Sequence, residues 1–212
     1  RSITKKIVDF QRDNEGELIY ESPSSGYFLI SHFSIEKPFA TKFFDCPITI
    51  KNIKNCYVSN LNLLHTESTV FANSSYHFET PPVDIKQYGL EADAMISCPD
   101  SPYEYPVLQN SISVDTGFYI GDTDNFGHWV FEFLPKVLWY TRLFPKQDIP
   151  LIIGKSVPRK WLDLLLPLGI NLEKLFRFDS GKSYKYNNLI VCSASIKRMQ
   201  GCSGAIRSED FM

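Results

Sequence analysis

The residues with the clearest potential for chemistry lie between Gly121 and Leu134, in the segment GDTDNFGHWVFEFL. His128 and Glu132 are four residues apart there, and the apolar periodicity around them predicts a helix. Side chains at positions i and i+4 of a helix are neighbours, so the imidazole and the carboxylate are expected to touch. A histidine in such a pair can take a proton from a hydroxyl group at neutral pH. This spacing therefore predicts an acid–base pair.

A single polar stripe is predicted along this helix. A turn of about 100° per residue places four polar side chains on one side, with two tryptophans beside them. These residues are Asn125, His128, Glu132 and Lys136, flanked by Trp129 and Trp139. Tryptophan beside carboxylates is a common way to hold a sugar ring, whose apolar face stacks on the indole. Two interpretations stay open at this point, a sugar-binding site and an ordinary solvated His–Glu pair.

Short features around the helix start extend the candidate substrate-binding set, which comprises Asp124, Asn125, Gly127, Trp129 and Lys136. Gly127 would let a ligand approach the backbone closely. Pro135 predicts a kink, because it lacks an N–H group and clashes with the carbonyl one turn before it. The Asp122-Thr123-Asp124 run matches a two-carboxylate cation site, but helix N-caps of this composition are far commoner. We expect no metal there.

Element patterns divide the chain into two regions. Residues 1–110 contain short runs typical of β-strands, whereas residues 111–212 alternate helix and strand patterns, as in an α/β fold with a parallel sheet. Proline-rich residues 81–106 predict an irregular connection, and Ile206–Met212 resembles the start of a helix. The predicted strands are Tyr27–Phe33, Thr41–Phe44, Ile48–Ile53, Cys56–Val58, Thr69–Ala72, Ser75–Phe78, Leu151–Ile153, Leu175–Phe178 and Leu189–Cys192; the predicted helices are Phe126–Leu143 and Arg159–Leu166.

Composition excludes several classes of protein. The 212 residues are 43% hydrophobic and 22% charged, with a net charge of −2, which argues against a broad nucleic-acid-binding surface. No apolar stretch reaches the roughly 18 residues of a membrane helix. The five cysteines form no CxxC pair and are expected to be mostly buried thiols. His32, His65 and His77 are not grouped with acids or thiols, so structural roles are expected for them.

The segment Asn125–Pro135 resembles the N-x-x-H-x-x-x-[DE]-x-x-P signature of glycosyltransferase family sixty-one, and the flanking sequence is similar to its bacterial, polysaccharide and capsule-related branch. The resemblance covers roughly residues 50–212 and is specific only at residues 121–135. It implies a β-rich N-terminal region followed by one Rossmann-like lobe of a two-lobed, GT-B-like enzyme. No counterpart of the nucleotide-sugar lobe is seen, so the chain is expected to be truncated and nearly inactive by itself.

The resemblance further implies inverting transfer of a hexosyl or pentosyl group from a nucleotide sugar to a hydroxyl of a glycan or glycoprotein acceptor. No cofactor or metal is expected beyond the nucleotide-sugar donor. Either His128 or Glu132 could be the base, with His128 slightly favoured and Glu132 then holding its tautomer or binding the acceptor. Peripheral membrane association is left open, and no nucleic-acid partner is expected.

Two other classes of function compete with this interpretation. One is a carbohydrate-binding or scaffold module without chemistry, which would depend on Trp129 or Trp139. The other is a metal-dependent hydrolase that uses Asp122, Asp124 and His128. The expected location is the cytoplasm or the inner membrane face for a bacterial protein, and the lumen of the endoplasmic reticulum or Golgi for a eukaryotic one.

Overall fold

The structure is a computed structural model of the chain. It describes the backbone of residues 2–11, 13–22, 27–32, 39–44, 48–59, 63–72, 77–78, 103–106, 111–179, 182–193, 196–198 and 205–206. Side chains are described at residues 10–11, 13–22, 48–58, 64–71, 111–130, 132–179 and 182–193.

Nine strands lie among the described residues of the first 110. They are β1 (Ser2–Asp9), β2 (Glu17–Glu21), β3 (Tyr27–His32), β4 (Phe39–Phe44), β5 (Thr49–Ser59), β6 (Leu63–His65), β7 (Thr69–Ala72), β8 (His77–Phe78) and β9 (Tyr103–Pro106). In the second region, strands and helical segments alternate. They are β10 (Ile112–Gly121), α1 (Phe126–His128), a π-helical turn (Trp129–Phe133), α2 (Leu134–Leu143), β11 (Leu151–Gly154), 3-10 helices at Arg159–Leu168 and Leu172–Lys174, β12 (Phe176–Phe178), β13 (Tyr184–Cys192), β14 (Ile196–Arg198) and β15 (Ala205–Ile206).

A ten-stranded mixed sheet joins most of these strands, in the order β12-β11-β10-β13-β5-β6-β7-β1-β9, with β2 paired to β5. Strands β12, β11, β10 and β13 are mutually parallel. Strand β13 then pairs antiparallel with β5 from Tyr184 opposite Val58 to Cys192 opposite Ile50. The β-rich region and the α/β region therefore contribute to one sheet, and the expected mixed α/β class is confirmed. A domain boundary near residue 110 stays a prediction.

The central strands carry a core on each face because their side chains alternate. Phe118 and Ile120 of β10 pack on one face, under the helical segment, whereas Tyr119 between them packs on the other. On the helical side, Phe133 and Val137 are completely buried against the sheet. Such packing sets the distance between the helical segment and the end of β10, where the candidate residues lie.

The predicted elements agree with the structure in part. The helix Phe126–Leu143 is confirmed as a continuous helical segment, although Trp129–Phe133 has π-helical hydrogen bonding. The two strands predicted at Ile48–Ile53 and Cys56–Val58 are one strand, β5. The long strand β10 was not predicted, and the second predicted helix is a 3-10 helix.

Near the chain end, the helix predicted at Ile206–Met212 is wrong at its first residue, because Ile206 ends strand β15. Residues 207–212, like Ser75 and most of the predicted connection 81–106, lie outside the described residues. Cys56 and Cys192 have buried thiols, as expected. Within the described part of the chain, no helix is long and apolar enough to cross a membrane.

The buried Tyr140 predicts how the free energy of unfolding changes at alkaline pH. The Tyr140 hydroxyl donates to Ile149 O at 2.6 Å, and burial, with a smaller contribution from Asp148, raises its pKa from 10.0 to about 12. The protonated side chain is thus favoured by folding, so its contribution is full below pH 10 and is lost as pH rises toward 12. Denaturant unfolding measured across this window should show falling stability, and Tyr140→Phe should flatten that slope. An unchanged slope in the variant would contradict this assignment.

Candidate functional site

The candidate site begins where β10 ends and the helical segment starts. The Asn125 side chain caps the helix, accepting hydrogen bonds from Gly127 N at 2.9 Å and His128 N at 3.3 Å. The Thr123 hydroxyl accepts from Asn125 N at 3.1 Å and so holds the capping residue in place. Asp124 is exposed beside this cap. The polar run before the helix therefore acts as the N-cap that its composition predicts.

His128 and Glu132 form the pair that their spacing predicts. His128 Nδ1 lies 2.5 Å from Glu132 Oε1, where the ring N–H can donate to the carboxylate. The histidine side chain is 25% exposed and that of the glutamate only 6%. The two groups thus differ in access, because solvent reaches the imidazole while the carboxylate lies beneath it. We call this pair the dyad.

The helix geometry at the dyad is unusual. Residues Trp129–Phe133 form a π-helical turn, and Leu134 N donates to Trp129 O five residues earlier. Pro135 follows directly, near the start of α2, so the expected disturbance takes the form of a π-helical turn before the proline. Single π-turns within helices are often found at functional sites. The site therefore combines a reactive residue pair with a local departure from α-helical geometry.

Two buried polar atoms lie within this turn. Glu132 Oε2 and Trp129 Nε1 are both inaccessible to solvent, and neither has a hydrogen-bond partner among the described residues. One atom is an acceptor and the other a donor. A buried polar group without a partner costs free energy, so each such atom calls for an explanation.

The two tryptophans expected beside the polar stripe are not available as a sugar-stacking surface. Trp129 is 0% exposed and Trp139 is 7% exposed, so both rings lie in the core. Trp139 contacts Tyr20 of β2 with ring centroids 4.8 Å apart. A helical wheel with a uniform step of about 100° does not describe this segment, because the π-helical turn changes the angular positions of the residues that follow it. In addition, Tyr20 of β2 covers Trp139. A direct role for Trp129 in substrate binding stays a prediction that the geometry does not favour.

Lys136 is likewise placed differently from the predicted exposed stripe. It is 1% exposed, and Nζ donates to Ile120 O at 3.4 Å and lies 5.2 Å from the centre of the Phe133 ring. Its ammonium group thus contacts the backbone of β10 from inside the fold. Direct binding of a substrate by Lys136 stays a prediction, and the observed contacts instead connect the helix to the strand.

The turn after β10 is connected to the turn after β11 by two hydrogen bonds. Asp122 Oδ1 accepts from Ser156 N and Asp122 Oδ2 accepts from the Ser156 hydroxyl, each at 2.9 Å. Gly154 is required beside them, since a Cβ atom there would overlap the Asp122 side chain. Asp122 thus has a structural task, with both oxygens engaged. Among the described residues, no group of three or more potential ligands is placed to hold a metal ion.

Arg177 of β12 supports the same turn from the neighbouring strand. Its guanidinium donates to Gly154 O at 2.8 Å and to Val157 O at 2.6 Å. Burial lowers the pKa of this guanidinium, nearby Arg159 lowers it further, and Asp122 opposes both effects. Ser156 and Arg177 were missed by the sequence reasoning, because they are 34 and 23 residues away from their partners Asp122 and Gly154.

A Cβ atom at Gly127 would lie 3.2 Å from Asn125 Oδ1, a tight contact that a shift of a few tenths of an ångström in this exposed side chain would relieve. Alanine is a better helix former than glycine by roughly 0.5–1 kcal/mol. We therefore expect Gly127→Ala to leave the free energy of unfolding unchanged or slightly higher, which chemical denaturation would measure. A loss of more than about 1 kcal/mol would show that the glycine serves the fold. In a ligand-binding assay, weaker binding by a stable variant would support the predicted close approach.

The dyad, the capped helix start and the fastened turns all lie at the carboxyl ends of the parallel strands. Ligands of open α/β sheets are generally bound at this edge. Comparison of the chain with models of protein families, with curated proteins and with solved structures finds no match. The functional interpretation therefore depends on the residues and their geometry.

Proposed function

We propose that this chain forms the acceptor-side part of an inverting glycosyltransferase, with His128 as the general base and Glu132 as its positioning residue. The observation that carries the proposal is the 2.5 Å contact between His128 Nδ1 and Glu132 Oε1. With Nδ1–H donated to the carboxylate, the neutral ring has its basic lone pair on Nε2. Glu132 is too deeply buried to meet an acceptor hydroxyl directly, which favours His128 as the base.

The proposed reaction transfers a glycosyl group with inversion. His128 Nε2 takes the proton of the acceptor hydroxyl as its oxygen forms a bond to the anomeric carbon. The bond from that carbon to the phosphate oxygen breaks, and the nucleoside diphosphate leaves with the electron pair. Attack and departure on opposite faces of the ring invert the anomeric configuration. Glu132 stabilises the imidazolium that forms and fixes the orientation of the ring.

The strand order supports a Rossmann-like lobe in this proposal. Numbered along the chain from β10, the parallel strands β12-β11-β10-β13 have the order 3-2-1-4, as in dinucleotide-binding sheets. In such sheets the strand order reverses between the first and fourth strands, and the crevice at that point receives the ligand. The helical segment that carries the dyad begins at the end of β10, the first of these strands.

The two competing functions gain no support from the geometry. A carbohydrate-binding module that stacks sugars on Trp129 or Trp139 needs rings that the structure buries. A metal-dependent hydrolase using Asp122 needs carboxylate oxygens that already accept hydrogen bonds from Ser156. Glycosyl transfer uses the His128–Glu132 pair, whose geometry fits acid–base chemistry.

The test is an assay of glycosyl transfer by the protein. It would be incubated with uridine, guanosine and cytidine nucleotide sugars together with glycan acceptors. Release of the nucleotide would be measured first, and NMR of the product would then give the anomeric configuration. The proposal expects acceptor-dependent release with inversion. Retention of configuration, or hydrolysis independent of any acceptor, would contradict it.

A further inference from the structure

Exposed hydrophobic side chains are concentrated in two places on the described surface. Six large hydrophobic residues are exposed among the described side chains; four of them belong to two patches, and a fifth, Phe126, borders one of these. Leu18 (55% exposed) and Ile19 (39%) lie on β2, whereas Leu164 (40%) and Leu166 (55%) lie on the 3-10 helix Arg159–Leu168, which Phe126 borders. Exposed apolar clusters of this kind commonly mark contact surfaces.

The first patch is acidic and comprises Glu17, Leu18, Ile19 and Glu21. Residues 13–21 contain four carboxylates and no lysine or arginine. The pairing of β2 with β5 is irregular between Leu18 and Tyr20, where a bulge leaves Ile19 without a register partner. A bulge can redirect a side chain, which explains why two consecutive strand residues are both exposed. We call this surface the acidic patch.

The second patch is basic and comprises Arg159, Lys160, Trp161, Leu164 and Leu166. Side chains three residues apart align along a 3-10 helix. One row, containing Leu162 and Leu165, is buried in the core; in a second row Leu164 is exposed, while Trp161 is half-buried against the core. Phe126 extends this row through an edge contact with Trp161, with ring centroids 5.2 Å apart. Asp163 is the one carboxylate in the helix. We call this surface the basic patch.

The two patches are too far apart to meet within one molecule. The basic patch follows β11, and four strand-to-strand steps lead from β11 through β10, β13 and β5 to β2. At about 4.8 Å per step they are separated by roughly 20 Å across the sheet. Within the described part of the chain the two patches therefore do not meet, and their opposite charge and matching apolar character suit a contact between molecules.

We propose that the acidic patch of one copy of this chain binds the basic patch of another, in a head-to-tail contact. Such a heterologous contact leaves one patch of each kind unfilled in a dimer, so it propagates to longer assemblies or closes into a ring. The leucines supply the apolar contact, and the Glu17 and Glu21 carboxylates face Arg159 and Lys160. The proposal is independent of sugar transfer.

The experiment is sedimentation velocity from about 10 µM to 1 mM, since small interfaces bind weakly. The native chain should associate beyond dimers as its concentration rises, and salt should weaken the association. Leu18→Ser/Ile19→Ser and Leu164→Ser/Leu166→Ser should each raise the dissociation constant about tenfold or more. Ile112→Ser, which removes the sixth exposed residue (43% exposed), is the matched control and should associate like the native chain.

Mixing the two double variants gives the decisive result. Each retains one intact patch of the opposite kind, so the mixture should form dimers and nothing larger. Association of either variant alone as strong as that of the native chain, a mixture that associates no more than the separate variants, or a monomeric native chain would each overturn the proposal. Glu17→Gln/Glu21→Gln and Arg159→Gln/Lys160→Gln provide second variants that keep the apolar side chains. They should weaken association and reduce its dependence on salt, and unchanged association would count against the charge pairing.

Discussion

Replacing His128 with alanine is expected to lower kcat for glycosyl transfer by about 10²–10⁴-fold, the usual contribution of a positioned general base. The fold should survive, because the side chain is partly exposed and the N-cap bonds from Asn125 involve only the backbone of residue 128. The measurement is glycosyl transfer by the variant protein, accompanied by its thermal unfolding. Full activity in a folded His128→Ala variant would contradict the proposed base.

Two substitutions of Glu132, to alanine and to aspartate, test its role as the positioning residue. Because it acts through His128, Glu132→Ala should lower kcat with little change in KM, while Glu132→Asp should recover part of the loss. A merely structural role would lower stability and both kinetic constants without recovery by the conservative variant. Glu173→Gln, at an exposed acid outside the site, is the control and should behave like the native protein.

Gly121→Ala is expected to cause the largest loss of stability, about 2–6 kcal/mol. Gly121 has φ +129°, a backbone conformation that L residues rarely adopt, which costs roughly 1–3 kcal/mol. A Cβ atom would also overlap the Phe133 ring, and overpacking adds roughly 1–3 kcal/mol. Because Phe133 lies in the π-turn, the same overlap should displace the dyad. Denaturant unfolding would measure the loss.

Substitutions at two other glycines separate the cost of the backbone conformation from the cost of overpacking. Gly169 has φ +74° with nothing within 4 Å of a Cβ position, so Gly169→Ala should show the backbone cost alone, about 1–2 kcal/mol. A Cβ atom at Gly117 would lie 2.5 Å from Ile152 Cδ1, so Gly117→Ala should report mainly packing. If Gly121→Ala lowered the free energy of unfolding no more than Gly169→Ala, the close contact between residue 121 and Phe133 would not contribute to the loss.

Local spacing was sufficient to predict the helical segment and the dyad. The contact between His128 and Glu132 needs only a spacing of four residues within a helical segment, and Asn125 is a residue type that favours the N-cap. The exposure of the flanking residues was not predictable in this way. Trp129 lies in a π-turn, and Trp139 is covered by Tyr20, a residue 119 positions earlier in the chain.

Longer-range features depend on strand pairing that no local pattern encodes. Strand β10 was overlooked although it is the central parallel strand, and its partner β13 pairs with β5 from the other region. The Asp122–Ser156 connection exists only because the turns after β10 and β11 become neighbours in the sheet. The sequence alone therefore predicted the His128–Glu132 pair. The contacts that hold the neighbouring turns in place depend on the strand order and could not be predicted in this way.

The tautomer of His128 tests the central claim most directly. Nitrogen-15 NMR of the labelled protein, with the neutral ring assigned by comparison with His128→Ala, distinguishes a protonated ring nitrogen from one with a lone pair. The dyad predicts the proton on Nδ1, shared with Glu132, and the lone pair on Nε2. A neutral ring with its proton on Nε2 would contradict the account, because that nitrogen could not then accept a proton from the acceptor.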